Sequence, residues 1–255
     1  MSDSISPKPL RAIFLAAGFA TRMYPLTRDR AKPLIEVGGE PMLTRLLGQV
    51  ASTGLVRDAV VVTNGRFAAD FERWRADVKA DLAVTLVDDG ALDDDGKLGA
   101  VRDLAFALER TSEPPAPEGY LVLAADNLFE FDLTPILQCY LDSSEAQLIV
   151  RRVPAPIPAG RYSEVQLDAN DKIVSFREKP ADPQSNLSAI GLYVLPPHLP
   201  ELVSEYLTDG GNPDAPGHFI AWLAARQPLR ATRLEGPWFD IGSLQDLDRA
   251  RAELG

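Results

Sequence analysis

One cysteine, Cys139, in 255 residues excludes an internal disulfide and fits a reducing compartment. Its apolar flanks, Ile136-Leu137 and Tyr140-Leu141, predict a packed thiol rather than a nucleophile. The two histidines, His198 and His218, stand in proline- and glycine-containing contexts that predict surface positions, so no His-Cys cluster points to zinc. Positive charge is scarce: 26 Lys and Arg against 37 Asp and Glu leave a net charge of −11, which argues against broad binding to nucleic acid or an anionic membrane. No stretch approaches the roughly 20 apolar residues of a membrane span. The run 13–20, preceded by Lys8 and Arg11, is too short for a signal peptide and leads straight into Arg22 and Tyr24-Pro25, so the cytoplasm is the expected location. Both common phosphate-binding fingerprints are missing. Neither Gly18 nor Gly38 begins a Walker pattern, and Ala20 stands where the second glycine of G-x-G-x-x-G would be.

What is present centres on residues 15–34, LAAGFATRMYPLTRDRAKPL. The run 11–15 has the length and branching of a buried strand. Ala16, Ala17 and Gly18 then remove side-chain bulk, so a ligand can approach backbone N–H groups that lack a strand partner. Arg22 and Lys32 follow, bracketed by Pro25 and Pro33, which favour a shaped loop over a helix. A strand opening into a small-residue turn with two fixed cations suits a polyanion, most economically a nucleoside triphosphate.

Further along, strands are expected at 58–62, 82–87 and 120–123, alternating with helices at 41–52, 66–77 and 101–108. A helix at 134–141, capped by Thr134, and a strand at 146–152 extend the rhythm. Such alternation implies parallel pairing and right-handed crossovers, hence a three-layer α/β/α Rossmann-like sheet with ligands at the carboxyl ends of its strands. Pro154, Pro156, Pro158 and Gly160 then break the pattern. The segments 164–167 and 172–176 read as strand, turn, strand, with 187–194 as a third member of a small mixed-sheet insertion. An exposed loop at 210–217 precedes a helix through Trp222. A strand at 229–234 follows, and Ser243 caps a last helix whose Leu244, Leu247, Ala250 and Leu254 face inward. Without repeat or linker, residues 1–255 are expected to form one domain.

The opening block resembles the signature of the sugar-phosphate nucleotidylyltransferases, LAAG-x-G-T-R-x-x-P-L-T…P-K-P-L. Three further blocks match in the family's order: Ala124-Ala125-Asp126-Asn127 resembles its metal-binding Gly-Asp, Arg177-Glu178-Lys179-Pro180 its Glu-Lys-Pro, and Trp238-Phe239-Asp240-Ile241-Gly242-Ser243 its Trp-x-Asp-x-Gly-Thr. The resemblance implies a nucleotide-diphospho-sugar transferase fold with a sugar-binding insertion, 1–152 mainly nucleotide-binding and 153–255 mainly acceptor-binding, and transfer of a nucleotidyl group from a nucleoside triphosphate to a sugar 1-phosphate. It further implies Arg22 and Lys32 at the phosphates, Lys179 at the acceptor's phosphate, Glu178 and Asn127 at the sugar, and Asp126 and Asp240 on Mg²⁺. The backbone of Leu15, Ala16, Ala17 and Gly18 would meet the nucleotide, and Leu98 and Gly99 its base. The assembly would be a monomer or homodimer.

The departures concern the substrate more than the reaction. The base-reading loop at 96–100 lacks the glutamine of the thymidylyl and uridylyl types, Ala20 and Ala125 replace glycines, and Ser163 and Ile190 alter acceptor-side positions. A non-sugar phosphate acceptor and a catalytically silent nucleotide-sugar sensor therefore stay open as alternatives. The acidic clusters Asp88-Asp89 and Asp93-Asp94-Asp95 are expected to be a solvated loop. No left-handed β-helical domain is expected after Asp240.

Overall fold

Alternate residues of the first strand are apolar on both sides, so it can only be stable between two layers. In the computed structural model, which describes residues 9–154, 157–233 and 235–255, β1 (Leu10–Leu15) lies inside a seven-stranded sheet with a neighbour on each side. A small hairpin, β2 (Glu36–Val37) and β3 (Glu40–Pro41), leads into α1 (Met42–Ser52), which returns the chain to β4 (Val56–Thr63), parallel to β1. Helix α2 (Ala68–Asp77) then crosses to β5 (Ala83–Asp88) at the sheet edge. Helix α3 (Ala100–Arg110) carries the chain back to β6 (Gly119–Ala124) on the other side of β1, again parallel.

Beyond β6, the short strand β7 (Asn127–Phe129) and helix α4 (Thr134–Ser143) precede β8 (Gln147–Arg152). The antiparallel hairpin β9 (Glu164–Leu167) and β10 (Ile173–Arg177) stands outside the main sheet. Then come β11 (Leu187–Leu195), α5 (Leu199–Thr208), α6 (Pro216–Ala224), β12 (Arg230–Arg233), β13 (Trp238–Asp240) and α7 (Leu244–Leu254). The main sheet runs β12-β8-β11-β6-β1-β4-β5. One face buries Leu10, Ala12 and Phe14 against α1, α2, α4 and α7, and the other buries Ile13 against α3, α5 and α6. The expected three-layer mixed α/β architecture is thus realised, with a core on each face.

Several expectations need correction. Strand β11 does not extend the hairpin. It inserts antiparallel between β6 and β8, because its residues are buried on both sides as an edge hairpin's would not be. Thr134 is the first residue of α4 rather than its cap, and its N–H is received by Asp132 Oδ1 at 2.8 Å. Helix α5 was not foreseen. Ser243 does cap α7, accepting from the Asp246 N–H at 3.2 Å, but Leu244 is exposed while Leu247, Ala250 and Leu254 are buried. Cys139 is exposed rather than packed, since it falls on the outer side of α4. The expected end of the last strand at Leu234, and Pro156 in the proline-rich connection, lie outside the described residues. Among the described residues, no helix is long and apolar enough to cross a membrane.

Candidate active site

The opening signature folds as a loop pinned from below. Ala16 N–H reaches Val62 O at 2.9 Å, and the amide of fully buried Asn64 donates to Ala17 O at 2.7 Å, so the turn after β1 is tied to the end of β4. Asn64 escaped notice in the sequence, where Thr63-Asn64-Gly65 reads only as a turn. Gly18 is exposed, and a Cβ there would meet nothing within 4 Å, so the open face expected of this turn exists. Ala20 takes the left-handed conformation, φ 50° and ψ 42°, and its carbonyl accepts from Met23 N at 2.9 Å and Thr27 Oγ1 at 2.8 Å. The resulting 3₁₀ turn, Thr21–Met23, buries Met23 and leaves Arg22 in solvent. A second turn, Lys32–Leu34, directs Lys32 the other way.

Lys32 is where the distant blocks meet. Its ammonium donates to Asp126 Oδ2 at 2.6 Å and to Ile241 O at 2.9 Å. Asp126 follows β6, next to the carboxyl end of β1, through Ala125 N to Leu15 O at 3.1 Å. Asp240 arrives from the far end of the chain. Strands β7 and β13 pair antiparallel, setting Asp240 opposite Asn127, and Ile241 N donates to Asp126 O at 3.0 Å.

This convergence shows in the acidities. Burial would raise Asp126, but the adjacent Lys32 charge and the hydrogen bonds from Lys32 and Asn127 outweigh it and hold the carboxyl below its ordinary value. Asp240 lacks such donors, and burial together with the Asp126 charge pushes it up to about 6. Two carboxylates of unequal acidity facing one cation form a site that a further divalent cation would complete. Their hard oxygens fit Mg²⁺, and a carboxylate has lone pairs to spare beyond one hydrogen bond per oxygen.

Asn127, expected at the sugar, ties its own block to that of Trp238. Its side chain is buried, its Nδ2 donates to Asp126 Oδ1 at 2.9 Å, and its Oδ1 accepts from Trp238 Nε1 at 2.8 Å. These two bonds make Asn127 a positioning residue for Asp126 and leave one amide N–H over. Trp238 was likewise missed as more than a motif letter.

On the acceptor side, Glu178 and Lys179 leave β10 together, Lys179 in the left-handed region at φ 45° and exposed. Glu178 is largely buried against the start of α6, where a Cβ on Gly217 would stand 1.9 Å from its Oε2. Burial raises the Glu178 carboxyl, offset in part by the nearby Lys179 and His218 charges. His218 is thus half-buried beside an acid, not the free surface group expected. Ser163 and Ile190 are both buried, with Ser163 Oγ accepting Ala189 N at 3.0 Å, so these two departures serve packing and do not argue for an unusual acceptor.

On the base side, Gly99 has φ 91°, and a Cβ there would stand 2.6 Å from Pro213 O. The loop 210–215 docks here through Val101 N to Pro213 O at 2.9 Å, so the bare side of Gly99 is packed rather than open to a base, and that loop is less free than its glycines and prolines suggested. Leu98 is half-exposed beside it. The acidic loop is mostly solvated, Asp88 and Asp93 each accepting a local backbone N–H. Asp89 departs from this, since burial raises its carboxyl and its charge in turn raises that of the buried Asp103 of α3.

The profile of the family described as nucleotidyl transferase matches residues 11–255. The chain belongs to this family. Among curated nucleotidyl transferase relatives, it is 28% identical over 244 residues to a UTP–glucose-1-phosphate uridylyltransferase of Synechocystis sp., covering 93% of this chain and 61% of that protein. It is 29% identical over 238 residues to the mannose-1-phosphate guanylyltransferase catalytic subunit beta of Drosophila pseudoobscura pseudoobscura, covering 92% and 60%. The chain therefore spans about three fifths of the length of these two. A relative of matched length is the UTP–glucose-1-phosphate uridylyltransferase AglF of Haloferax volcanii, 28% identical over 252 residues and covered at 96% on both sides. Among solved structures, a UDP-glucose pyrophosphorylase complexed with UDP-glucose superposes with a TM-score of 0.81 at 19% identity, covering 96% of this chain and 98% of the other, a likeness of fold.

Proposed function

We propose that this nucleotidyl transferase moves a nucleotidyl group from a nucleoside triphosphate to a sugar 1-phosphate, giving a nucleoside-diphosphate sugar and pyrophosphate. The observation that supports it best is the β7–β13 pairing, which brings Asp240 beside Asp126 and Lys32 at the carboxyl ends of β1 and β6. Relatives named for glucose 1-phosphate and mannose 1-phosphate supply the acceptor class.

In the proposed reaction a phosphate oxygen of the acceptor attacks the α-phosphorus, and the bond from that phosphorus to the bridging oxygen breaks. Protein groups do little covalent work, so alignment and charge neutralisation carry the rate. Asp126 and Asp240 would hold Mg²⁺, whose chemistry is to offset negative charge on the phosphate oxygens. Lys32, hydrogen-bonded to Asp126, would meet the triphosphate as a point charge. Arg22, exposed on its fixed turn, suits the departing pyrophosphate as a planar multidentate donor. The exposed Lys179 ammonium would take the acceptor's phosphate, and Glu178 would accept from sugar hydroxyls. Asn127, held by Trp238, keeps Asp126 in one orientation.

The test is to follow pyrophosphate release with Mg²⁺, a panel of sugar 1-phosphates and each common triphosphate. Release with at least one pair is expected, and silence with every pair would refute the assignment. Asp126→Asn is expected to lower kcat at least a hundredfold while shifting the thermal midpoint by only a few degrees. Equal loss of turnover and folding would make Asp126 a structural residue.

A further inference from the structure

Arg151, near the end of β8, has no part in the reaction just described, yet it is poorly accommodated by the protein alone. Its guanidinium carbon stands 5.1 Å from the centre of the Trp238 ring, and among the described residues its buried Nε and Nη1 find no hydrogen-bond acceptor. Buried charged donors left without an acceptor are costly, so such a group marks a place where an anion fits. Two further arginines gather there. Arg249 of α7 stacks over Phe239 at 5.4 Å, and Arg161 stacks over Tyr162 at 5.0 Å. Tyr162 in turn lies 6.3 Å from Trp238. The ionisation of Arg151 is lowered, first by burial and then by the Arg249 charge. Among the described residues, the one acid within ion-pair distance of these three is Asp246, 3.7 Å from Arg161.

The cluster borders the acceptor side of the site. Side chains alternate along a strand, so Trp238 and Asp240 share a face of β13, and the Tyr162 hydroxyl feels the Asp240 charge. Lys179 already provides for the acceptor's 1-phosphate, so the arginines are free for a second negative group. Guanidinium forks match carboxylate and phosphate oxygens in pairs.

Building on the nucleotidyl-transfer reading, we propose that Arg151, over Trp238, and Arg249, over the neighbouring Phe239, form an anion subsite, and that the preferred acceptor is a sugar 1-phosphate bearing a second anionic group. The experiment compares kcat/KM for a neutral hexose 1-phosphate, a hexuronate 1-phosphate and a hexose 1,6-bisphosphate, using the wild type, Arg151→Met and Arg249→Gln. An anionic acceptor is expected to be favoured at least tenfold, the better of the two identifying carboxylate or phosphate. Both substitutions should raise KM about tenfold for that acceptor and leave the neutral one unchanged. Because Arg249 is exposed, its replacement separates recognition from folding. Equal use of the neutral acceptor by the wild type, or uniform slowing of all acceptors in both variants, would overturn the subsite while leaving nucleotidyl transfer intact. Stimulation by added inorganic phosphate without acceptor preference would overturn it in favour of a free anion. Absence of pyrophosphate with every acceptor would remove both readings together.

Discussion

Ala20 occupies a backbone conformation that L-residues with a Cβ adopt at a cost of roughly 1–2 kcal/mol. Two hydrogen bonds to its carbonyl and the buried Met23 impose it, because the turn that exposes Arg22 needs the chain to reverse here. Ala20→Gly should relieve the strain but enlarge the unfolded ensemble, leaving a net gain of about 0.5 kcal/mol and a thermal midpoint higher by roughly 1–2 °C. Calorimetry decides it, and a lowered midpoint would mean the methyl group packs better than its geometry suggests. The sequence exposed this position as a departure from G-T-R but could not say whether the turn would change shape to suit alanine. Alanine is held in the left-handed conformation, with Phe19 and Met23 on either side anchoring the loop as core residues. Lys32, Asp126 and Asp240 were legible as charges in matching blocks. Asn64, Trp238 and Arg151 were not, since their roles depend on partners 47, 111 and 87 positions away that no local pattern announces.

Elements long enough to show a period were readable, and those that position the chemistry were not. The helices and buried strands of the first half appear within a residue or two of their expected limits, because each has an apolar face that only one secondary structure can bury. The ribbon β7–β13 has three residues a side, too few for a pattern, and it forms only when the whole chain closes. Strand β11 was read as a strand but given the wrong neighbours, since an apolar run does not tell which sheet it enters. Contact between elements also explains Gly99, whose bare side is filled by Pro213 and Asp214 at the start of α3. Gly99→Ala would add a methyl group 2.6 Å from a backbone carbonyl at a positive φ, where neither side can yield cheaply. We expect a loss of about 2–3 kcal/mol, and a weaker apparent affinity for triphosphate as the 210–215 loop lifts away from Leu98. Chemical denaturation and triphosphate titration measure the two effects, and unchanged stability would mean the 210–215 loop undocks freely.

At the scale of the molecule, a net charge of −11 comes with several acids that the fold buries. Asp240 is raised to about 6 beside Asp126, and Asp103 is raised to about 8, by burial first and then by the charge of Asp89 and their shared hydrogen bond. Glu178 and Asp89 are raised as well, each chiefly by burial. An acid whose folded pKa exceeds its unfolded value binds its proton more firmly in the native state. Its contribution is therefore fully present below the unfolded pKa and is lost as pH rises through the folded pKa. For Asp103 that window runs from about 4 to about 8, with a limiting slope near 1.4 kcal/mol per pH unit. The chain should consequently unfold more easily at pH 8 than at pH 6, by an amount on the order of 2 kcal/mol from this pair. Asp103→Asn supplies a permanent donor to Asp89 in place of the shared proton, so its thermal midpoint should fall much less between pH 6 and pH 8. Matching decreases in wild type and variant would show that the proton shared by Asp89 and Asp103 does not control the alkaline loss, and that the burden lies with Asp240 and Glu178 instead.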